Sequence, residues 1–392
     1  MKIPKGFLFS AVEAAIKKPG RKDLALIYSQ TVANMAGAFT TNRVKAAPVR
    51  LDMRRIRSGR GQAIVVNSGN ANACTGGQGM QDAEETAKLL AQSLRLKPSD
   101  VYVSSTGVIG TPMPMERIRC RIQDLTAGLG KCSIRDVAAA IMTTDTFPKV
   151  IARTLRVNGK EGVIVGICKG AGMISPHMAT MLCFLMTDIA VDRKALETTL
   201  RDAVRRSFNR ITVDGDMSTN DTVLIMANGE LGNRPITEKS PSFRTFRETV
   251  ADLSYQLSKL IVKDGEGATK LVEIEVRGAR SEADAEMAAF SVANSSLVKT
   301  AVYGNDANWG RIMAALGYSG INFAEDKVAI YFGKIKVVHN GLSNGMDREA
   351  GKVLRGKEVP VIIDLHLGKS SAKVLTCDLT EEYIRVNATY RT

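Results

Sequence analysis

The chain has 392 residues, 44% apolar and only 5% aromatic, and carries a formal net charge of +14. This is an ordinary globular composition, long enough for about two domains with proper cores, and it excludes disordered and fibrous classes. No apolar run approaches the roughly 20 residues of a membrane helix, and Glu13, Lys17 and Lys18 interrupt the start too early for a signal peptide, so a cytoplasmic protein without a membrane partner is expected.

The opening, through Asp23 to Tyr28 and Ala38-Phe39, reads as short strands joined by small residues. Arg54-Arg55-Ile56-Arg57-Ser58-Gly59-Arg60, read as an exposed loop, is the densest part of a basic excess confined to the first 179 residues. These hold 26 Lys and Arg against 12 Asp and Glu, whereas the rest of the chain is balanced at 28 of each. With no interleaved aromatics and no helix-turn-helix, zinc-finger or RNA-recognition signature, the basic half predicts attraction of anionic amino acids or a solvated face, not nucleic-acid binding. Ala63-Ile64-Val65-Val66 is a buried strand running into the amide-rich loop 67–76, which lacks Walker A and G-x-G-x-x-G spacing. A helix over about 80–94 carries Ala83, Ala87, Leu90 and Leu94 on one stripe. The strand Val101-Tyr102-Val103 ends in Ser104-Ser105-Thr106-Gly107. There a hydroxyl and a glycine N–H, side by side, can point at one oxygen as an oxyanion hole requires.

Helices over about 115–125 and 134–142 follow. The second ends in Met142-Thr143-Thr144-Asp145-Thr146-Phe147-Pro148-Lys149, a hydroxyl-rich loop stopped by proline. The strand 162–167 leads into Lys169-Gly170-Ala171-Gly172-Met173-Ile174-Ser175-Pro176-His177-Met178-Ala179-Thr180, and a second apolar run occupies 181–186. A threonine hydroxyl is a weak nucleophile. If the bond before Thr180 is cut, its own α-amino group, with an unperturbed pKa of roughly 7.7–8.0, can take the hydroxyl proton. Otherwise Thr180 is a β-branched residue opening a strand. Cys168 and Cys183 lie inside apolar strand patterns and read as buried thiols. The six cysteines and three histidines are scattered, without C-x-x-C or zinc spacing, so no metal is expected.

In the second half, Asp192 caps a helix carrying Leu196, Leu200, Ala203 and Val204. The segment 208–221 is acidic and contains glycine, but lacks the context and terminal glutamate of an EF-hand. Ser240-Pro241 opens the most regular helix, with Phe243, Phe246, Val250, Leu253, Leu257 and Leu260 inward. That helix ends at Lys263-Asp264-Gly265-Glu266-Gly267, where a carboxylate between two glycines is exposed to meet an amine. Strands at 271–276, 328–332, 335–338 and 359–365 complete a sheet, and the tail 385–392 reads as a frayed polar end. The content is mixed α/β, with no repeat and no low-complexity linker.

Jointly, Ser105-Thr106-Gly107, Met142-Thr143-Thr144-Asp145-Thr146, Met178-Ala179-Thr180 and Asp264-Gly265-Glu266-Gly267 resemble the ornithine acetyltransferase (glutamate N-acetyltransferase) family. Matching blocks run from Phe39-Thr40-Thr41-Asn42-Arg43 to Thr392. His177, where family members often carry asparagine, departs from the pattern outside the Ala179-Thr180 pair. The resemblance implies a layered αββα-type fold like that of the self-processing aminopeptidases. It also implies autocatalytic cleavage between Ala179 and Thr180, leaving an α chain of residues 1–179 and a β chain of residues 180–392 that stay together, two of each, in a heterotetramer. Thr180 inherits the nucleophile's role, Thr106 and Gly107 the oxyanion hole, and Thr143, Glu266, Asn387 and Thr392 the substrate contacts, with the acidic segment 208–221 a loop near the site. Lys169, at the head of the loop before Thr180, reads as a contact for a substrate carboxylate or else as a surface lysine. The implied reaction moves acetyl from N2-acetyl-L-ornithine to L-glutamate through an acetyl-threonine, a ping-pong step of arginine biosynthesis that needs no cofactor. A bifunctional version accepting acetyl-CoA, and a threonine amidohydrolase or aminopeptidase with water as acceptor, are the alternatives.

Overall fold

Apolar runs on either side of the 170–180 segment pair with one another, and that pairing lies inside a large sheet. In the computed structural model, which describes residues 1–17, 19–175 and 181–389, eight strands build it. They are β1 (Phe7–Val12), β2 (Leu24–Phe39), β3 (Arg60–Asn70), β4 (Val101–Val108), β5 (Lys149–Val157), β6 (Lys160–Lys169), β7 (Leu182–Thr187) and β8 (Thr222–Ala227). Their order is β4-β3-β2-β8-β7-β6-β5, with β1 also on β2. β6 and β7 are antiparallel, Lys169 opposite Leu182 and Cys168 opposite Cys183. The sheet therefore takes strands from both sides of Thr180.

Alternation along β7 sends its side chains to two cores. Leu182, Phe184 and Met186 join Ile27, Ile64 and Leu224 on one face, and Cys183 and Leu185 join Val223 and Ile225 on the other. With both faces covered, the central strands are apolar throughout, and each fully buried Leu or Phe contributes roughly 1.5–3 kcal/mol. The helices of this part are α1 (Ala47–Arg55), α2 (Gly76–Leu94), α3 (Met115–Ala127), α4 (Ile134–Ala140), α5 (Arg193–Arg206) and α6 (Phe243–Lys263). α5 and α6 pack on one another and cover the second face. α5 starts where Asp192 accepts the Ala195 N–H at 2.7 Å, and its stripe of Leu196, Leu200, Ala203 and Val204 is buried.

A second sheet has its own core. It comprises β9 (Leu271–Ala279), β10 (Ala329–Phe332), β11 (Ile335–His339), β12 (Leu342–Ser343), β13 (Glu358–Asp364) and β14 (Ser370–Cys377), ordered β12-β11-β10-β13-β9-β14. Its helices are α7 (Glu282–Asn294), α8 (Ser296–Tyr303), α9 (Trp309–Gly317) and α10 (Asp347–Leu354), and α11 (Glu381–Thr389) follows the last strand. The class is mixed α/β, as expected. Among the described residues no helix is long and apolar enough to cross a membrane.

Several local expectations need correction. The opening is not a set of short strands: β2 is one 16-residue strand, its first half paired to β1 and its second half to β8. The arginine cluster is not a loop, because Arg54 and Arg55 end α1 and Arg60 begins β3; Arg54 is tied to Glu84 at 2.8 Å. α6 starts at Phe243 and not at Ser240-Pro241, since the Ser240 hydroxyl accepts the Thr237 N–H at 2.9 Å and closes a turn. The tail up to Thr389 is helical, pinned by contacts described below.

Candidate active site

β3 and β4 run parallel, Ser68 opposite Thr106 and Gly69 opposite Gly107. Gly107 has φ +135°, and a Cβ there would stand 2.3 Å from the Gly69 carbonyl carbon and 2.5 Å from the Asn70 nitrogen. Only glycine permits this approach. The Asn220 side-chain amide donates to Ala71 O at 2.6 Å and Ser105 O at 2.8 Å, fixing the ends of both strands. Thr106 and Gly107 thus stand on rigid backbone at the rim of a cavity of about 220 Å³.

Lys169, the last residue of β6, is buried, which excludes a surface lysine. Its ammonium donates to Thr143 Oγ1 at 2.7 Å and reaches Thr106 Oγ1 at 3.5 Å. Burial pushes Lys169 below its ordinary pKa, and Asp145, 3.9 Å away, opposes the push. Asp145 also accepts the Gly170 N–H at 2.7 Å and the Thr143 N–H at 3.0 Å. Lys149, at the start of β5, bridges Asp145 at 2.7 Å and Asp264 at 2.5 Å, with none of the three side chains more than 2% exposed. Burial alone would raise the Asp145 carboxyl; Lys169 and Lys149 outweigh it and hold that carboxyl below the usual range. Asp264 in turn accepts from the Thr146 N–H at 3.1 Å and from its hydroxyl.

The loop after Lys169 is held from the acidic segment. Asp214 accepts the Met173 and Ile174 N–H groups at 2.7 and 2.8 Å, while burial raises its carboxyl above the usual range. On the other side of the 176–180 segment, the Met181 N–H donates to Asp221 at 3.0 Å and its carbonyl accepts from Thr222 N at 3.2 Å. Asp221 is fully buried, and its carboxyl is pushed well above the usual range by that burial. Glu266 is anchored by its N–H to Ala171 O at 2.9 Å, and Asn387 on α11 donates to its carboxylate at 2.8 Å. Tyr383, one turn earlier, donates to Asp214 at 3.3 Å.

The cavity lining therefore includes Thr106, Gly107, Thr143, Lys169, Glu266 and Asn387, which come from five separate stretches of sequence. Ala179, Thr180 and Thr392 lie outside the described residues. The acidic segment does border the site, supplying Asp214, Asp216, Ser218, Thr219 and Asn220. Sequence reasoning missed Lys149, Asp145, Asp264, Asp214, Asp221 and Tyr383 as parts of the assembly. Three of them stand inside quoted motifs, but nothing local signals their partners. Cys168 and Cys183 are buried, as expected, and burial pushes the Cys168 thiol up to about 12. Among the described residues no group of three or more His, Cys, Asp or Glu is placed to hold a metal ion.

The model of the ArgJ family matches residues 8–392. The arginine biosynthesis bifunctional protein ArgJ of Geobacter sulfurreducens is 57% identical over 390 residues, 99% of each chain. The protein of that name from Caldanaerobacter subterraneus subsp. tengcongensis is 49% identical over 100% of this chain and 98% of its own. Among solved structures, the arginine biosynthesis bifunctional protein of Bacillus halodurans is 42% identical and superposes with a TM-score of 0.52, covering 53% of this chain and 98% of that one. Matched along nearly its whole length, the chain belongs to the ArgJ family.

Proposed function

We propose that the protein is a self-processing acetyltransferase that moves acetyl from N2-acetyl-L-ornithine to L-glutamate in arginine biosynthesis. The observation that carries this reading is the convergence of Thr106, Gly107, Thr143, Lys169, Glu266 and Asn387 on one small cavity, against the loop that leads to Thr180. The relatives' shared name, an arginine biosynthesis bifunctional protein, supports the same pathway.

In the proposed scheme the Ala179-Thr180 bond is hydrolysed first: water supplies the new Ala179 carboxylate and the Thr180 α-amino group is freed as a base, leaving an α chain of 179 residues and a β chain of 213. Thr180 Oγ then attacks the acetyl carbonyl carbon while the amine takes its proton. The Thr106 hydroxyl and the Gly107 N–H hold the oxyanion; losing one such donor typically costs about 100–1,000-fold in rate. The C–N bond breaks, the α-amine of ornithine leaves with the proton, and acetyl-Thr180 remains. The amine of glutamate reverses these steps. Glu266, oriented by Asn387, meets the ammonium group of the substrate, and Thr143 and Thr392 complete the contacts. One amide is exchanged for another, so the chemistry itself requires no cofactor. The word bifunctional in the relatives' name favours acetyl-CoA as a second donor to glutamate. In the proposed assembly the α and β chains remain associated as a heterotetramer of two of each.

Intact masses of freshly purified protein beside Thr180→Ala test the scheme. Two chains meeting at Ala179/Thr180, with the variant uncut, are expected, together with acetyl transfer from N-acetylornithine to glutamate. A single chain that stays uncut on incubation removes the proposed base and overturns the mechanism. Acetylglutamate formed from acetyl-CoA without N-acetylornithine tests the second activity, and acetate release without an acceptor would instead identify an amidohydrolase.

A further inference from the structure

A second cleft lies between the end of β2 and α5 and shares no lining residue with the acetyl-transfer cavity. Its volume is about 620 Å³, a size common among small-molecule sites. On the face of β2 that meets α5 the side chains are the small Ala36 and Ala38, and Leu200 and Val204 stand across from them. Phe39 is half-buried and lines the same cleft. The floor is therefore apolar and open.

The rim is basic. Arg193, Arg201 and Arg205 line it from α5, and Arg57, from the sequence's densest arginine cluster, joins them from the short helical turn Ile56–Ser58. Two of these cations are engaged: Arg193 with Glu197 at 2.7 Å, and Arg205 with Glu282 at 3.2 Å and Asp202 at 3.4 Å. The Arg193 stem lies over Gly59, where a Cβ would stand 2.5 Å from its Cδ. The side chains of Arg57 and Arg201 form no hydrogen bond or ion pair with the described residues. Unpaired guanidinium forks above an apolar floor suit phosphate, which accepts two parallel bonds from each.

Asn209, on the turn Phe208–Arg210 that follows α5, also lines the cleft, and its Oδ1 is buried with no hydrogen-bond partner among the described residues. A buried amide oxygen calls for a donor. A side-chain amide sets an acceptor beside a donor, the pair that the amino group and ring nitrogen of adenine complete. About two helical turns, on the order of 10 Å, separate Arg201 from Asn209. One ligand can thus lay its base at Asn209, its body on the apolar floor and its phosphates among the arginines. A small amino-acid anion would leave both the floor and Asn209 unused. The cleft also abuts the wall of the first cavity: Thr40, next to Phe39, donates its hydroxyl to Ser218 O at 2.9 Å, and Ser218 lines that cavity.

We propose that the cleft between β2 and α5 is an adenine nucleotide site, with Arg57, Arg193 and Arg201 holding the phosphates and Asn209 the edge of the base. The proposal goes beyond the acetyl-transfer reading and does not depend on it. A free nucleotide and the nucleotide end of coenzyme A share this chemistry, and the experiment separates them.

Titration calorimetry on the purified protein tests it, with ADP, coenzyme A, GDP and inorganic pyrophosphate as probes. One ADP per protomer is expected, bound at least about tenfold more weakly by the Arg57→Gln/Arg201→Gln variant and more weakly as salt rises. Asn209→Ala should weaken ADP about fivefold and leave pyrophosphate unchanged. Both arginines are exposed, so the double variant should fold and keep acetyl transfer from N-acetylornithine to glutamate within about twofold of wild type. Coenzyme A bound with the same dependence on the two arginines, together with a raised KM for acetyl-CoA in the double variant, identifies the thioester donor as occupant. ADP bound without coenzyme A identifies a free nucleotide. No heat from either at about 1 mM, equal affinities of wild type and double variant, or GDP held as tightly as ADP overturns the proposal. A protein that binds ADP as described but moves no acetyl contradicts the acetyl-transfer reading alone.

Discussion

Lys149→Met removes the charge between Asp145 and Asp264 while keeping the length of the stem. Lys149 Nζ stands 2.7 Å from one carboxylate and 2.5 Å from the other, in a pocket where none of the three side chains is more than 2% exposed. Salt and solvent screen such contacts poorly, and removing one partner of a buried pair typically costs about 3–5 kcal/mol. Asp145 keeps the Gly170 and Thr143 N–H donors, with Lys169 at 3.9 Å, and Asp264 keeps the Thr146 N–H. The loss therefore belongs near the lower end, about 3 kcal/mol. Its pH dependence has a definite sign. In the native protein Asp145 titrates below the usual range, because Lys169 and Lys149 outweigh the effect of burial. Its contribution is thus present above the unfolded value of about 3.9 and is lost as pH falls below it. Without Lys149, only Lys169 and the backbone donors oppose burial, so the carboxyl rises from its depressed value and the gap between wild type and variant narrows as that carboxyl is protonated at low pH. Urea unfolding of wild type and variant at pH 7 and at about pH 3 measures the gap. About 3 kcal/mol at pH 7 and a smaller gap at about pH 3 are expected. A gap below about 1 kcal/mol at pH 7, or one equal at both pH values, would refute the reasoning.

Further outcomes follow from single contacts. In Gly172→Ala a Cβ would lie 2.3 and 2.5 Å from the Glu266 carboxylate oxygens; the flexible side chain must move, so KM should rise roughly 10–100-fold while stability changes by less than about 1 kcal/mol, and an unchanged KM removes Glu266 as the ammonium contact. Asp221, raised by burial, loses stabilising power as pH rises toward its raised pKa. Asp221→Asn should keep an acceptor for the Met181 N–H and flatten that slope, whereas Asp221→Ala should cost about 1–3 kcal/mol; equal effects of the two in urea unfolding would contradict this. A thiol-specific reagent followed by mass analysis should label the exposed Cys74 and Cys120 in native protein and reach Cys168, Cys183 and Cys377 only after unfolding. Fast native labelling of Cys168 would show that the β6–β7 core opens.

Elements whose side chains repeat at one period are legible in the sequence. The stripe of α5 and the apolar runs of β6 and β7 are each set by local burial of one face, or of both, and the periods 3.6 and 2 record it. The turns that carry Thr106, Thr143 and Glu266 are visible as motifs, but their partners are not: Gly107 must be glycine because of Gly69 and Asn70 on the neighbouring strand, and the Thr143 hydroxyl accepts from Lys169. Elements with mixed exposure are not legible. β5 runs half-exposed at the edge of the large sheet, and α7 buries mainly alanines, so neither writes a clear hydrophobic period. α11 looks like a polar end because its specific anchors, Glu266 for Asn387 and Asp214 for Tyr383, lie 121 and 169 residues away. The same holds for charge. As a string, Lys149 and Lys169 are two more cations in a basic half, and Asp264 belongs to a turn 115 residues from Lys149. Only folding removes them from water, and in that dry interior a lysine must have its carboxylate and a carboxylate its donors. Residue chemistry supplies the groups a site of this kind needs; the tertiary structure decides which of them are buried together, and therefore which are charged, which are fixed, and which face the cavity.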